Sequence, residues 1–190
     1  MKQPLVAFRQ RLGSAPVTPL HGRLVRMVAF AALEKVDPPE WLFTSGKPNR
    51  YNPAKVECVC FAEDEATARA EHAAFWAGLA GENQPVVLYY ADVRLHRILD
   101  LNSATALKAV GLKRRDLFAS WRRAKRPTLT QLLGQAISEQ CAISAIRYPS
   151  KAAKEPGFPG ANVAIFRDCV RRPDSVCILG PTKRPLQKWP

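Results

Sequence analysis

Hydrophobic and polar positions along the chain change period several times, and each change marks an element. The stretch HGRLVRMVA at about 22–30 predicts a strand, with Leu24 and Met27 or Val25 and Val28 offered to a core. Pro38 and Pro39 then break the chain. VECVCF, 56–61, is short and β-rich and predicts a buried strand. DEATARAEHAAFWAGL, 64–79, has the clearest helical period, with Asp64 as N-cap and Gly78 or Gly81 as its end. PVVLYYADVRL, 85–95, predicts a strand, and a short helix runs from Ser103 to a stop at Gly111. TLTQLLGQAISEQ predicts a helix capped by Thr128 or Thr130. AISAIRYPS (142–150), NVAIF (162–166) and SVCIL (175–179) predict the remaining strands.

Residues 1–20 mix prolines, glycine and basic residues and predict a loosely held arm. A folded domain then occupies 21–180, and 181–190 form a basic, proline-punctuated tail. Strands and helices alternate irregularly, with no βαβ period and no GxGxxG motif, which disfavours a Rossmann domain. The expectation is a mixed α+β single domain, since 190 residues suffice for one sizeable core.

On a helical wheel of 64–79, Thr67, Ala68, Glu71, Ala74, Phe75 and Gly78 share one face. Glu71 is the one carboxylate on that stripe, and a buried carboxylate needs a partner or a purpose. Arg26 poses the same problem inside the strand LVRMVAF. Arg50 and Tyr51 stand at the tip of the turn-rich loop SGKPNRYNP, Ser150 ends a strand in YPS, and Asn162 opens one in GANVAIF. Arginine forks suit pyrophosphate, an aromatic ring suits stacking on a heteroaromatic one, and a carboxylate suits a ribose hydroxyl or a developing oxocarbenium ion. Together these groups suit a dinucleotide whose glycosidic bond is broken.

Composition narrows the field. The chain is 47% hydrophobic and 24% charged, ordinary for a globular protein, but its net charge of +13 favours an anionic partner. Its five cysteines have no CxxC spacing, and His21, His72 and His96 make no metal pattern with them; reduced thiols and no metal are expected. No apolar run reaches membrane length and no signal peptide is evident, so the expected location is the cytoplasm.

Three blocks taken in order resemble the RES-domain family: Arg26 in LVRMV; Arg50, Tyr51 and Asn52 in SGKPNRYNP followed by a strand and the helix bearing Glu71; and Tyr148 and Ser150 in IRYPS followed by Asn162. Where the family usually carries a tyrosine in the strand before the glutamate helix, this chain has Cys58-Val59-Cys60-Phe61. The resemblance implies a fold similar to ADP-ribosyltransferase toxins, with central twisted sheets flanked by helices. It implies NAD+ as substrate, cleaved by inorganic phosphate to nicotinamide and ADP-ribose-1-phosphate, or used to ADP-ribosylate a protein. It also implies a cognate antitoxin with a helix-turn-helix DNA-binding part. In that scheme Arg26, Glu71 and Ser150 are catalytic, and Arg50, Tyr51, Asn52, Tyr148 and Asn162 bind NAD+. The two arginines contact the substrate's phosphates or the incoming phosphate, Tyr51 stacks near nicotinamide, Glu71 holds the ribose or balances its developing positive charge, and Ser150 and Asn162 hydrogen-bond the nicotinamide side or position backbone.

A reading from another class rests on LKRRDLFASWRRAKRP, 112–127. Its seven basic residues against one acid, with Trp121 among them, suit a phosphate backbone or an acidic antitoxin.

Overall fold

The computed structural model describes residues 2–33, 41–42, 46–77, 84–122, 124–153, 160–180 and 184–190. In chain order these form α1 (Lys2–Leu12), β1 (Thr18–Ala29), α2 (Phe30–Leu33), β2 (Cys58–Ala62), α3 (Glu65–Trp76), β3 (Val86–Asp100), α4 (Ala104–Val110), α5 (Leu129–Gln140), β4 (Ala145–Pro149), β5 (Ala161–Phe166), β6 (Ser175–Leu179) and β7 (Pro185–Trp189). A 3-10 turn, Arg114–Phe118, lies between α4 and α5. The architecture is mixed α+β.

The strand order is β1-β2-β5-β4-β3-β6-β7, and β1 also pairs with β3. The first five strands in that order therefore close on themselves, and β6 and β7 extend from β3. At 15 residues, β3 is long enough to serve three neighbours. It runs antiparallel to β1 over most of its length, antiparallel to β6 at Tyr90–Arg94, and parallel to β4 at Ile98–Asp100.

Alternation along β2 and β5 splits the core in two. Val59, Phe61, Val163 and Ile165 pack with Tyr89, Leu95 and Val176. Residues of the opposite parity, Ala164 and Phe166 with half-buried Cys58 and Cys60, pack with Leu133 and Ile137 of α5 and Phe8 and Leu12 of α1. A small third cluster, Val25, Ala62 and Ala68, seats α3 on the sheet.

Both chain ends differ from the sequence reading. The expected loose arm is largely helix α1, with Phe8 3% and Leu12 1% exposed. Leu5, Phe8 and Leu12 recur at helical spacing, and Pro4 falls in the first turn, where a missing N–H costs nothing. Arg9 also pairs with Glu139 of α5 at 2.6 Å. The expected tail carries an edge strand, β7, which pairs antiparallel with β6. Pro185 is tolerated at the start of such a strand, and Trp189 Nε1 donates to the Arg167 carbonyl at 3.1 Å.

Several sequence signals hold locally. Asp64, Ser103 and Thr128 cap α3, α4 and α5, and Gly111 closes α4 in the left-handed conformation at φ 76°. Gly78, Gly81, Pro38 and Pro39 lie outside the described residues. Among the described residues, no helix is long and apolar enough to cross a membrane, and no group of His, Cys, Asp and Glu could hold a metal ion.

Candidate active site

Glu71 sits two turns into α3, and the start of that helix is tightly fixed. Asp64 accepts from the Thr67 backbone N–H at 2.7 Å and from the Thr67 hydroxyl at 2.8 Å. Thr67 and Ala68 are buried, but Ala74 and Phe75 are exposed, Phe75 at 47%. The apolar stripe expected over the whole helix is thus buried only up to Glu71. The helix parts from the sheet there, and Glu71 lies half-buried at the rim.

Two strand ends meet under it. The backbone N–H of Ser150, just past β4, donates to the Gly160 carbonyl, just before β5, at 2.7 Å. A Cβ at Gly160 would stand 2.3 Å from Thr67 Oγ1, so only glycine lets the strand pass this close to α3. The Ser150 hydroxyl accepts from the backbone N–H groups of Ala152 (3.2 Å) and Ala153 (3.0 Å) and donates to Glu71 Oε1 at 2.6 Å. A hydroxyl has one proton and two lone pairs. With both lone pairs engaged, the proton of Ser150 is committed to Glu71. Asn162 Nδ2 donates to the same oxygen at 2.9 Å. Glu71 Oε2 has no hydrogen-bond partner among the described residues, and no cation there pairs with this carboxylate. The sequence assigns Ser150 and Asn162 to the nicotinamide side or to positioning backbone; in the structure both donate to Glu71.

Cys60 of β2, which the sequence reading did not select, joins the cluster. The Cys58 thiol, the guanidinium of Arg26 and the Tyr148 hydroxyl favour its thiolate, while burial and Glu71 oppose it; the balance brings Cys60 down to about 7. The Cys58 thiol is pushed well above its ordinary range, chiefly by its hydrogen bond to Cys60 and by burial. Arg26 and Glu71 therefore act on one point from two elements. The signal in the sequence was the Cys-Val-Cys alternation at the family's tyrosine position.

The loop residues are placed differently from expectation. Tyr51 is 1% exposed, with its ring 4.3 Å from that of Tyr148, so it offers no free face for stacking. Burial raises its hydroxyl's pKa, and the hydroxyl has no hydrogen-bond partner among the described residues. Asn52, expected to bind substrate, is 2% exposed and spends its amide on the Lys47 and Val56 carbonyls at 2.8 and 3.0 Å, stapling the loop. Arg50 Nη1 donates to the Leu117 and Ala119 carbonyls at 2.9 and 3.1 Å, so the loop tip is tied to the 3-10 turn. Beneath the loop, a Cβ at Gly134 would lie 1.5 Å from the Tyr51 carbonyl oxygen; α5 and the loop touch only because that position is glycine.

An open pocket of about 280 Å³ lies beside this loop, lined by Pro53, Gln131, Trp121, Arg122, Lys125 and Arg126. Gln131 Nε2 donates to the Asn49 carbonyl at 2.9 Å, and the Arg122 guanidinium lies 4.6 Å from the ring centre of Phe75, one turn beyond Glu71.

A family model described as RES domain matches residues 28–186. Among solved structures, the chain is similar to one described as "Crystal structure of the M.tuberculosis MbcT-MbcA toxin-antitoxin complex". The two share 18% identity at a TM-score of 0.64, over 96% of this chain and 90% of that one, which is a likeness of fold. No curated protein sequence matches the chain.

Proposed function

This chain belongs to the RES-domain family, and from that premise we propose that it is a toxin that cleaves NAD+ at the nicotinamide–ribose bond. The observation that carries the proposal is the geometry at Glu71: one oxygen held by Ser150 and Asn162, the other without a hydrogen-bond partner among the described residues. NAD+ brings a cationic leaving group. As the C1′–N bond breaks, its electron pair neutralises the nicotinamide and positive charge develops on the ribose. A carboxylate fixed beforehand, with an oxygen to spare, stabilises that charge without having to reorganise. Inorganic phosphate then attacks C1′, forming the C–O bond of ADP-ribose-1-phosphate. Arg26, which like Glu71 acts electrostatically on Cys60, suits the incoming anion. Ser150 and Asn162 act as positioning residues for the carboxylate, and Tyr51 and Tyr148 form the packed floor on which the cluster rests.

A toxin of this activity needs restraint in the cytoplasm where it is made. The solved structure of similar fold is a toxin held by its antitoxin. For this chain we propose a cognate antitoxin with a helix-turn-helix part, bound against the basic surface.

The test is incubation with NAD+, with and without inorganic phosphate, followed by mass analysis. The expected products are nicotinamide and, only with phosphate, ADP-ribose-1-phosphate. Free ADP-ribose in both conditions would replace phosphorolysis with hydrolysis. ADP-ribose covalently attached to protein would favour transfer. NAD+ left intact in every condition would overturn the proposal.

A further inference from the structure

The C-terminal end of α5 meets a second 3-10 turn, Arg167–Cys169, which follows β5. Both are anchored by contacts that involve no sulfur. Gln140 Nε2 donates to the Arg9 carbonyl at 2.9 Å and Glu139 pairs with Arg9, so the last turn of α5 is tied to α1. The Arg167 backbone N–H donates to the Glu57 carbonyl at 3.1 Å, and the Arg167 carbonyl accepts from Trp189 Nε1, so the 3-10 turn is tied to the start of β2 and to β7. Between these two fixed pieces stand two thiols. Cys141 and Cys169, 28 residues apart in the chain, bring their sulfurs to 2.7 Å. Cys169 is buried and Cys141 half-buried. Cys141 closes α5 in the left-handed conformation at φ 51°, a place that ordinarily takes glycine or asparagine. Its sulfur lies 3.4 Å from the Ser138 carbonyl and 3.5 Å from the Asp168 carbonyl. The sulfur of Cys169 lies 3.4 Å from the Ile137 carbonyl. The carbonyls at the helix end thus hold both sulfurs in one place.

We infer that Cys141 and Cys169 form a redox modification site, which a peroxide converts to a disulfide that staples α5 to the turn after β5. Cys141 is the sulfur that an oxidant can reach. Its thiol attacks hydrogen peroxide: an S–O bond forms, the O–O bond breaks, and the products are a sulfenic acid and one water. The sulfur of Cys169 then attacks the sulfenic sulfur. The S–S bond forms, and the hydroxyl leaves with the Cys169 proton as a second water. Two thiols are oxidised while one peroxide is reduced to two waters. Burial, and then the hydrogen bond with Cys141, push the Cys169 thiol above its ordinary range, which keeps it inert toward dissolved oxidant. Beside Cys141 it needs no encounter, because a partner held in reacting geometry acts at a very high effective concentration. Bonding requires only a small further approach of the two sulfurs. In a reducing compartment such a bond is transient, so it records exposure to oxidant and is undone by thiols.

The experiment treats the reduced full chain with hydrogen peroxide, alkylates the remaining thiols, and maps every cysteine by mass analysis of peptides. The expected result is a chain lighter by two hydrogens, with one cross-linked pair joining Cys141 to Cys169, reversed by dithiothreitol. C169S should instead accumulate sulfenic acid at Cys141, trapped by dimedone, and C141S should keep Cys169 as a free thiol. The cross-linked chain should melt about 5–10 °C above the same chain after reduction, the shift expected when a loop of this length is closed in a chain of this size. Cys169 alkylated in full after peroxide, with Cys141 untouched or carried on to sulfinic acid, overturns the inference. So does a disulfide found only between Cys58 and Cys60. A 141–169 cross-link that leaves the melting midpoint where it was, or lowers it, overturns the staple.

Discussion

Two clusters, one at Arg147 within β4 and one at Ser150 just past its end, are built on opposite plans. Around Arg147, every strong group is answered by another. Its Nε and Nη2 donate to the two oxygens of Glu63 at 2.5 and 2.7 Å, and its Nη1 donates to Asp100 at 2.9 Å. The other Asp100 oxygen accepts from the backbone and side chain of Asn102, both at 2.9 Å. The hydrogen bond to Glu63, and then that to Asp100, raise the guanidinium pKa further. Around Glu71 the donors are neutral, they converge on one oxygen, and among the described residues no cation pairs with the carboxylate. A network closed on itself supports the fold; a carboxylate held but left without a counter-charge is ready to receive one.

Breaking each cluster should therefore have a different signature. The largest effect is expected from E71Q, which keeps size and most hydrogen bonding but removes the charge. NAD+ turnover should fall about 100- to 1,000-fold, the usual cost of losing a fixed electrostatic stabiliser, with thermal stability unchanged. Wild-type turnover by E71Q would end the comparison. Next come S150A and N162A, each removing one donor from Glu71. A hydrogen bond to a charged group is worth about 1.5–3 kcal/mol, so turnover should fall about 10- to 100-fold, mostly in kcat. R147M should do the reverse. It should cost about 2 kcal/mol of stability, between the values for exposed and buried pairs, and leave kcat/KM within a few-fold. Denaturant melts beside steady-state rates would separate the two; R147M with native stability and lost activity would show that the closed cluster also serves the site.

The smallest effect sharpens the description of the open cluster. The thiolate is the reactive form of cysteine, and the hydrogen bond from Cys58, followed by Arg26, holds Cys60 at about 7. Site-resolved alkylation of Cys60 should accelerate as pH rises through about 7 and level off above it. R26Q should shift that midpoint upward. A midpoint in the ordinary thiol range with Arg26 present would mean that Arg26 does not act on this point.

The two clusters also mark how far the sequence could be read. A lone acid on an apolar helix face is a local anomaly, so Glu71 was visible, and Arg26, Ser150 and Asn162 followed from ordered blocks. What bonds to what was not visible, because Ser150 and Asn162 meet Glu71 across 79 and 91 residues of chain. β6 was legible to the residue as SVCIL, and the caps Asp64, Ser103 and Thr128 were local chemistry. α1 was misread because its proline, glycine and arginine content outweighed the spacing of Leu5, Phe8 and Leu12, whose burial depends on α5. Tyr51 and Asn52 look like exposed loop-tip residues in the sequence. Packing over Gly134 turns them inward, and no local rule signals that.

That packing has a consequence for how the molecule can vary. The face of α5 at Gly134 and the loop backbone at Tyr51 are die and cast, with no clearance for a single methyl group. Lifting the loop would loosen the grip of Arg50 on the 3-10 turn and shift Pro53 at the cavity mouth together. A change with no chemistry of its own, hydrogen to methyl on a helix flank, would thus displace the Arg50 tether and Pro53 in one stroke.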